Sequence, residues 1–173
     1  MATKIISGDM KITPVFFDPV KFIGTGWKLI PEEHDARNDD LTEIDFSKVD
    51  LLHCLNSNES IITGEEKLRR VKALNRIRYG ANAFMGTWLD YEARKENSIL
   101  EMLYLTKGST YVDFPGDVLL GPDRRRGVLY LYRHNNDGEW NCAPDWLGDG
   151  WCDTSLSAVS QELRAQNPFR ASY

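Results

Sequence analysis

Six basic residues, Lys67, Arg69, Arg70, Lys72, Arg76 and Arg78, fall within twelve positions that hold no acid. On one helix such a run can contact phosphates. With the downstream turn Arg124, Arg125 and Arg126 it outlines a winged-helix-like nucleic-acid reader. Two features oppose that reading. The net charge is -5, which works against holding a polyanion. The next helical stretch, Ala81 to Tyr91, carries no Lys or Arg and so offers no recognition helix. The competing reading is a solvated helix face whose Lys and Arg stems cover apolar surface.

Metal and nucleophile chemistry find less support. His34, His53, His134, Cys54, Cys142 and Cys152 show neither Cys-x2-Cys nor His-x3-His spacing. Asp145, Asp149 and Asp153 stand four apart in a Gly-containing stretch and could offer carboxylates to Ca2+. The EF-hand spacing is absent, however, and turn chemistry explains these residues more simply. No metal and no cofactor is expected. His53 and Cys54 are neighbours in sequence, so their side chains diverge rather than form a dyad. There is no Gly-x-Ser-x-Gly, no phosphate-cradling glycine loop and no dinucleotide fingerprint. No residue is assigned a catalytic role, and an enzyme here would use chemistry outside these patterns.

Aromatic residues are the stronger candidates. Tyr130, Tyr132, Trp140, Trp146 and Trp151 crowd the last third of the chain. They could form a contact face for a base, a sugar or a protein hot spot. Cross-strand aromatic pairs that simply stabilise a sheet are the competing explanation. Acidic segments flank them. Residues 31–50 hold eight acids against two basic residues, and residues 134–153 hold five acids and no Lys or Arg. Such segregation favours a basic protein partner, or self-association by opposite faces. The expectation is a non-catalytic binding or accessory protein with a protein partner. Nucleic acid is the alternative partner and a small enzyme of unrecognised chemistry the third class.

The elements that must position these residues follow from periodicity. Asp18-Pro19 starts a short helix, with Asp18 as N-cap and Pro19 in the first turn. Leu41 to Phe46 alternates as a strand, and Ser47 is expected to cap a helical turn carrying Val49, Leu51, Leu52 and Leu55. Thr63 and Glu66 make a capping box before Leu68, Val71 and Leu74. Ala81, Phe84, Met85, Trp88 and Leu89 form an apolar stripe at helical spacing. Asn97 to Leu105 is a third helix, ended by Gly108. Beyond Ser109 the period falls towards two. Strands flank a Pro115-Gly116 turn, and Asn135 to Gly138 closes a hairpin between Gly127–Arg133 and Glu139–Ala143.

Helices before strands define an α+β fold: an N-terminal arm and about three short helices packed on a C-terminal antiparallel meander of three to five strands. The 173 residues read as one domain, with residues 1–14 an arm and 162–173 a tail expected to be flexible. Met1 to Lys11 has no apolar run suited to a secretory leader, and no stretch is long enough to span a bilayer. Three unpatterned cysteines fit a reducing compartment, although a Cys142–Cys152 bridge across a turn is conceivable. A cytoplasmic protein, with no membrane partner, is expected.

The strings Leu41-Thr-Glu-Ile-Asp-Phe-Ser-Lys-Val49, Gly64-Glu-Glu-Lys-Leu68, Val128-Leu-Tyr-Leu-Tyr132, Asp145-Trp-Leu-Gly148 and Ser157-Ala-Val159 together resemble a family of small proteins from environmental bacterial genomes. The resemblance runs from about residue 15 to 160. It implies one compact unit from Leu41 to Val159 and no activity, so no functional residue is carried over. The Arg124-Arg-Arg126 turn is more charged than that pattern leads one to expect.

Overall fold

A computed structural model describes residues 9–162. In chain order the elements are β1 (Lys11–Ile12), α1 (Pro19–Phe22), β2 (Lys28–Leu29), β3 (Ile44–Asp45), β4 (Val49–Leu52), β5 (Ile61–Thr63), α2 (Gly64–Ala73), α3 (Ala81–Arg94), α4 (Ile99–Lys107), β6 (Tyr111–Leu120), β7 (Arg126–Arg133), β8 (Trp140–Trp146), β9 (Gly150–Cys152) and β10 (Ser157–Ser160). The main sheet has the order β4-β10-β6-β7-β8, with β2 pairing the far end of β6. It is antiparallel except for a parallel contact of β10 with β6. The fold is therefore α+β, with a β6-β7-β8 meander forming one side of the sheet.

Local chemistry starts the helices where the sequence places them. The Asp18 carboxylate accepts from the N–H groups of Val20 and Lys21 at the start of α1. Thr63 Oγ1 accepts from Glu66 N–H at the start of α2. Only half of the capping box forms, because Glu66 turns to Arg69 and Arg70 instead. Ser98 caps α4, and Gly108 ends it with φ +66°, the left-handed conformation that glycine adopts without a Cβ clash.

Four expectations are corrected. Ser47 caps no helix. Asp45 accepts from Ser47 N–H across a single 3-10 turn, and Val49–Leu52 continues as β4 because its backbone pairs with β10. Pro115-Gly116 is not a turn between two strands. β6 runs straight through it, with a break in pairing to β7 between Phe114 and Leu119. Leu74 and Leu89 of the predicted apolar faces are 42% and 41% exposed, since α2 ends before Leu74 and α3 turns Leu89 outward. β10 had no counterpart among the predicted strands. Of the proposed arm, Lys11–Ile12 is fixed by pairing with β3. The rest of the flexible-end expectation, residues 1–8 and 163–173, lies outside the described residues.

Alternation decides which side of the sheet carries what. Val112 and Phe114 of β6 and Leu129 and Leu131 of β7 point to the α3–α4 side, into a core with Phe84, Ile99, Leu100 and Leu103. Each such side chain, fully withdrawn from water, contributes roughly 1.5–3 kcal/mol. Tyr111, Asp113, Val128, Tyr130, Tyr132, Asn141, Ala143 and Asp145 take the opposite face. The tyrosines of β6 and β7, with Asp113 and Asp145, lie on that second face, whereas Trp140 and Cys142 lie on the α3–α4 side.

Candidate functional site

The second face divides into a covered half and an open half. α2 and the β5–β9 ribbon cover one half through Leu68, Val118, Val128, Leu147 and Trp151. Within this cover lies a polar network. Lys67 Nζ donates to Asp113 Oδ2 at 2.9 Å and to the carbonyl of Ser155, and Ser157 Oγ donates to Asp113 Oδ1 at 2.6 Å. The Lys67 ammonium also stands 4.9 Å from the Trp151 ring centroid, close enough for a cation–π contact. Burial pushes the Asp113 carboxyl up, against the pull of Lys67 and Ser157. A lysine, a carboxylate and a serine could in principle do proton or nucleophile chemistry. Here the Lys67 and Asp113 side chains are 1% and 0% exposed, so the network is closed to solvent and ties α2 to the sheet.

The open half holds Tyr130, Tyr132, Asn141 and Ala143, all partly exposed. Tyr111 stacks on Tyr130 (4.8 Å between centroids), Tyr130 on Tyr132 (5.1 Å), and His134 tilts against Tyr132 (5.4 Å). The ring faces are thus spent on one another, and no face is left as a platform for a stacked base. Neither the Tyr130 nor the Tyr132 hydroxyl has a protein partner among the described residues. Burial, with the nearby Asp145 and Tyr132, pushes the Tyr130 phenol up to about 12, so it stays neutral. Tyr111 donates to Asp145, whose carboxyl is raised by burial despite that bond.

The three tryptophans proposed for the contact face are corrected by their surroundings. Trp140 and Trp151 are buried. The Trp140 indole N–H donates to Glu101, and that of Trp151 to the carbonyl of Trp146. Trp146 is partly exposed, but it is sandwiched between Trp27 (5.4 Å, 19° between planes) and the Arg125 guanidinium (3.9 Å). Trp140 and Trp151 are therefore core, and Trp146 is a partly exposed ring at the rim, packed on Trp27 and Arg125.

The basic run is equally occupied. Lys67 is buried. Arg69 binds Glu66, Arg70 binds Glu59 and Glu66, Lys72 binds Glu33, Arg76 binds Asp50, and Arg78 lies 3.7 Å from Asp35 with its Nη1 donating to the Pro115 carbonyl. Arg125 pairs with Asp123, and Arg126 with Glu33 and Glu65. Arg124 forms no ion pair among the described residues. α2 ends at Ala73, so Arg76 and Arg78 follow the helix rather than lie on it, and the acidic 31–50 segment supplies the acids for Lys72, Arg76 and Arg78. A phosphate backbone would have to displace carboxylates already in place. In contrast, Asp137, Glu139, Asp145, Asp149 and Asp153 pair with no Lys or Arg among the described residues.

The edge of the open half is only partly available for strand addition. His134 N–H donates to the Glu139 carbonyl and Leu147 N–H to the Arg126 carbonyl. Antiparallel alternation then turns the N–H positions of Trp140, Cys142, Pro144 and Trp146 outward. Trp140 N–H is taken by the Tyr91 hydroxyl at 3.1 Å, and Pro144 has no N–H. Two of the four outward positions on β8 thus offer no free N–H to a partner strand. The thiols of Cys54, Cys142 and Cys152 are free. Burial pushes the Cys142 thiol up to about 11, whereas bonds from Thr154 lower that of Cys152.

A second polar cluster joins the 31–40 loop to the seam between β6 and α3. His34 Nδ1 meets Asp117 Oδ1 at 2.7 Å and Nε2 meets Asp39 Oδ1 at 2.9 Å, while Asp117 Oδ2 accepts from Ala81 N–H at the start of α3. Both ring nitrogens face carboxylates, so both bonds exist only in the imidazolium. Burial lowers the His34 pKa, and the two aspartates more than offset it, raising it above 6.5. A group whose folded pKa is raised stabilises fully below its unfolded pKa, and that contribution is lost as pH rises through the folded value. Urea melts of the wild type should thus lose stability above about pH 6.5, relative to a flatter His34→Gln variant. Parallel pH profiles for the two proteins would remove His34 from this role. Asp35 beside it is held at about 2, because the bonds from Arg37 and Arg78 N–H outweigh its burial.

No family model, curated protein or solved structure matches the chain. No helix among the described residues is long and apolar enough to cross a membrane, and no group of three or more His, Cys, Asp or Glu among them could hold a metal ion.

Proposed function

We propose that this protein is a non-catalytic binding protein whose contact surface is the open half of the sheet, and that it takes a basic segment of a partner protein. One observation carries the reading. Tyr130 and Tyr132, partly exposed and with hydroxyls that bond no protein group among the described residues, lie on β7 next to β8, and the five carboxylates of residues 134–153 have no cationic partner among those residues. Tyrosine edges offer apolar area at small entropy cost, and their hydroxyls accept from Lys or Arg donors. The carboxylates supply steering. Two of the four outward N–H positions on β8 being unavailable favours recognition by side chains. Free thiols fit a protein working in a reducing compartment such as the cytoplasm.

The test is titration with unstructured Arg/Gly and Asp/Gly peptides of equal length, followed by calorimetry. The basic peptide should bind, and binding should weaken as salt rises. Tyr130→Ala and Tyr132→Ala should each cost about 1–2 kcal/mol of binding while leaving the circular dichroism spectrum unchanged. Equal binding of both peptides, or none by either, ends the proposal.

A further inference from the structure

A cavity of about 640 Å³ opens where the start of β4, the end of β10 and the α2–α3 connection meet. Lys48 and Asp50 line it from one side, Arg76 and Tyr79 from another, and Ser160, Gln161 and Glu162 from the third. Long-range pairing brings them together. Ser160 lies opposite Val49 in the β4–β10 register, Gln161 N–H donates to the Lys48 carbonyl, and Ser160 N–H donates to the Ile77 carbonyl. The cavity thus sits at the β4 edge of the main sheet, the opposite edge from β8.

Tyr79 is the residue that points to a ligand. It is 8% exposed, and its ring packs in the main core. Its backbone is fully engaged, the N–H with the Ala158 carbonyl and the carbonyl with Gly116 N–H. Its hydroxyl bonds no group among the described residues, yet it is not one of the enclosed polar atoms left without a partner. The hydroxyl therefore meets solvent, and the cavity is where this side chain reaches it. Burial, with Asp45 nearby, pushes the phenol up, so the O–H stays a donor. A ring so held loses little entropy when its hydroxyl takes a partner.

The surrounding charges define that partner. Arg76 Nη1 donates to Asp50 Oδ2 at 2.7 Å, and Arg76 Nη2 lies 3.5 Å from Glu162 Oε2. Lys48 forms no ion pair among the described residues. The lining therefore lacks one negative charge. It offers donors from Lys48, from the Tyr79 hydroxyl and from Ser160 Oγ, which accepts from Ile77 N–H and keeps its own proton to give. One carboxylate meets this need. A phosphate dianion would set a second charge against Asp50 and Glu162. Beyond the carboxylate, Asp50 and Gln161 suit hydroxyl groups, and no aliphatic side chain lines the cavity. Its volume is that of a small-molecule site.

We infer that this cavity binds a small polyhydroxylated monocarboxylic acid, a sugar acid, with the carboxylate on Lys48 and the Tyr79 hydroxyl and the hydroxyl groups towards Asp50 and Gln161. D-gluconate is the probe. Calorimetric titration of the full chain should show saturable binding, with a Kd of about 1 mM or tighter. Sorbitol, which keeps the hydroxyls without the carboxylate, and hexanoate, which keeps the carboxylate without the hydroxyls, should each bind about tenfold more weakly or worse. Lys48→Gln and Tyr79→Phe should each weaken gluconate binding about tenfold, and Lys28→Gln on β2 should leave it unchanged. Because the Tyr79 hydroxyl has no partner among the described residues, Tyr79→Phe should melt with the wild type. A clear fall in its Tm would mean that the hydroxyl is engaged within the protein, and would overturn the inference. So would the absence of saturable gluconate binding, or equal binding of sorbitol, hexanoate or inorganic phosphate. The basic-peptide titration is read at the opposite edge of the sheet, so either result stands without the other.

Discussion

Lys67→Met is expected to destabilise the fold by about 3–5 kcal/mol, a fall in Tm of roughly 10 °C or more for a chain of this size. The methionine fills much of the same space, so the loss is one of partners, not of volume. Asp113 would remain in a site with no exposure, keeping only the Ser157 hydroxyl. The Ser155 carbonyl would lose its donor and the Trp151 face its cation. Removing one member of a buried pair leaves the full desolvation cost of the other. The informative control is therefore the concerted variant Lys67→Met, Asp113→Leu, Ser157→Ala. It removes the network as a whole and should recover most of the lost stability. Chemical denaturation of the four proteins, the wild type, Lys67→Met, Asp113→Leu and the concerted variant, supplies the comparison. If Lys67→Met alone costs under about 1 kcal/mol, Lys67 does not hold α2 to the sheet in the way its geometry states.

The buried network shows how far the sequence could be read. Gly64, Lys67, Leu68 and Val71 lie at i, i+3, i+4 and i+7, and all four are buried. The sequence predicts a stripe of Leu68, Val71 and Leu74; the buried face instead runs through Lys67, whose residue type points to the solvent-exposed basic run. Asp113 carried a matching signal, an acid between Val112 and Phe114 in an apolar strand. Short-range features were the readable ones: the α1 and α2 caps, the Gly108 stop and the β7–β8 hairpin are each written in a few adjacent residues. Long-range pairings left little local trace. β10 is four small or β-branched residues, and only its partners β4 and β6 make it a strand. The pairing of the basic helix with Glu33, Asp35, Asp50, Glu59 and Glu66 needs the fold, since most of those acids lie remote in sequence. Among the aromatics, sequence marked a cluster but not the side on which each ring falls. Register then separates Tyr130 and Tyr132, on the open half, from Trp140 on the other face.

Gly116→Ala tests the seam on which this arrangement depends, and its expected cost is above about 4 kcal/mol, in the range reserved for changes the backbone cannot absorb. The break in β6 pairing at Pro115-Gly116 frees backbone groups that the α2–α3 connection then uses. Gly116 N–H donates to the Tyr79 carbonyl and its own carbonyl accepts from Asp35 N–H, both at 2.8 Å, while Tyr79 N–H reaches the Ala158 carbonyl of β10. Residues 78–80 are thereby wedged between β10 and the bent end of β6. A Cβ at Gly116 would run into the Arg78 carbonyl oxygen and stand 2.7 Å from both Gly80 N and Tyr79 C. These are backbone atoms tied into three segments, so none can rotate away as a flexible side chain would. Relief would require lifting the connection off the sheet, and with it the Asp117 cap of α3 and the Asp35–Arg78 contacts. Gly24→Ala, where an added Cβ meets nothing within 4 Å, is a comparison in which only the positive φ of +149° is strained. Thermal melts should show Gly116→Ala far below both it and the wild type. Comparable melting of the two glycine variants would mean that the crossing is looser than its distances say, and that α3 is held against the sheet by side-chain packing alone.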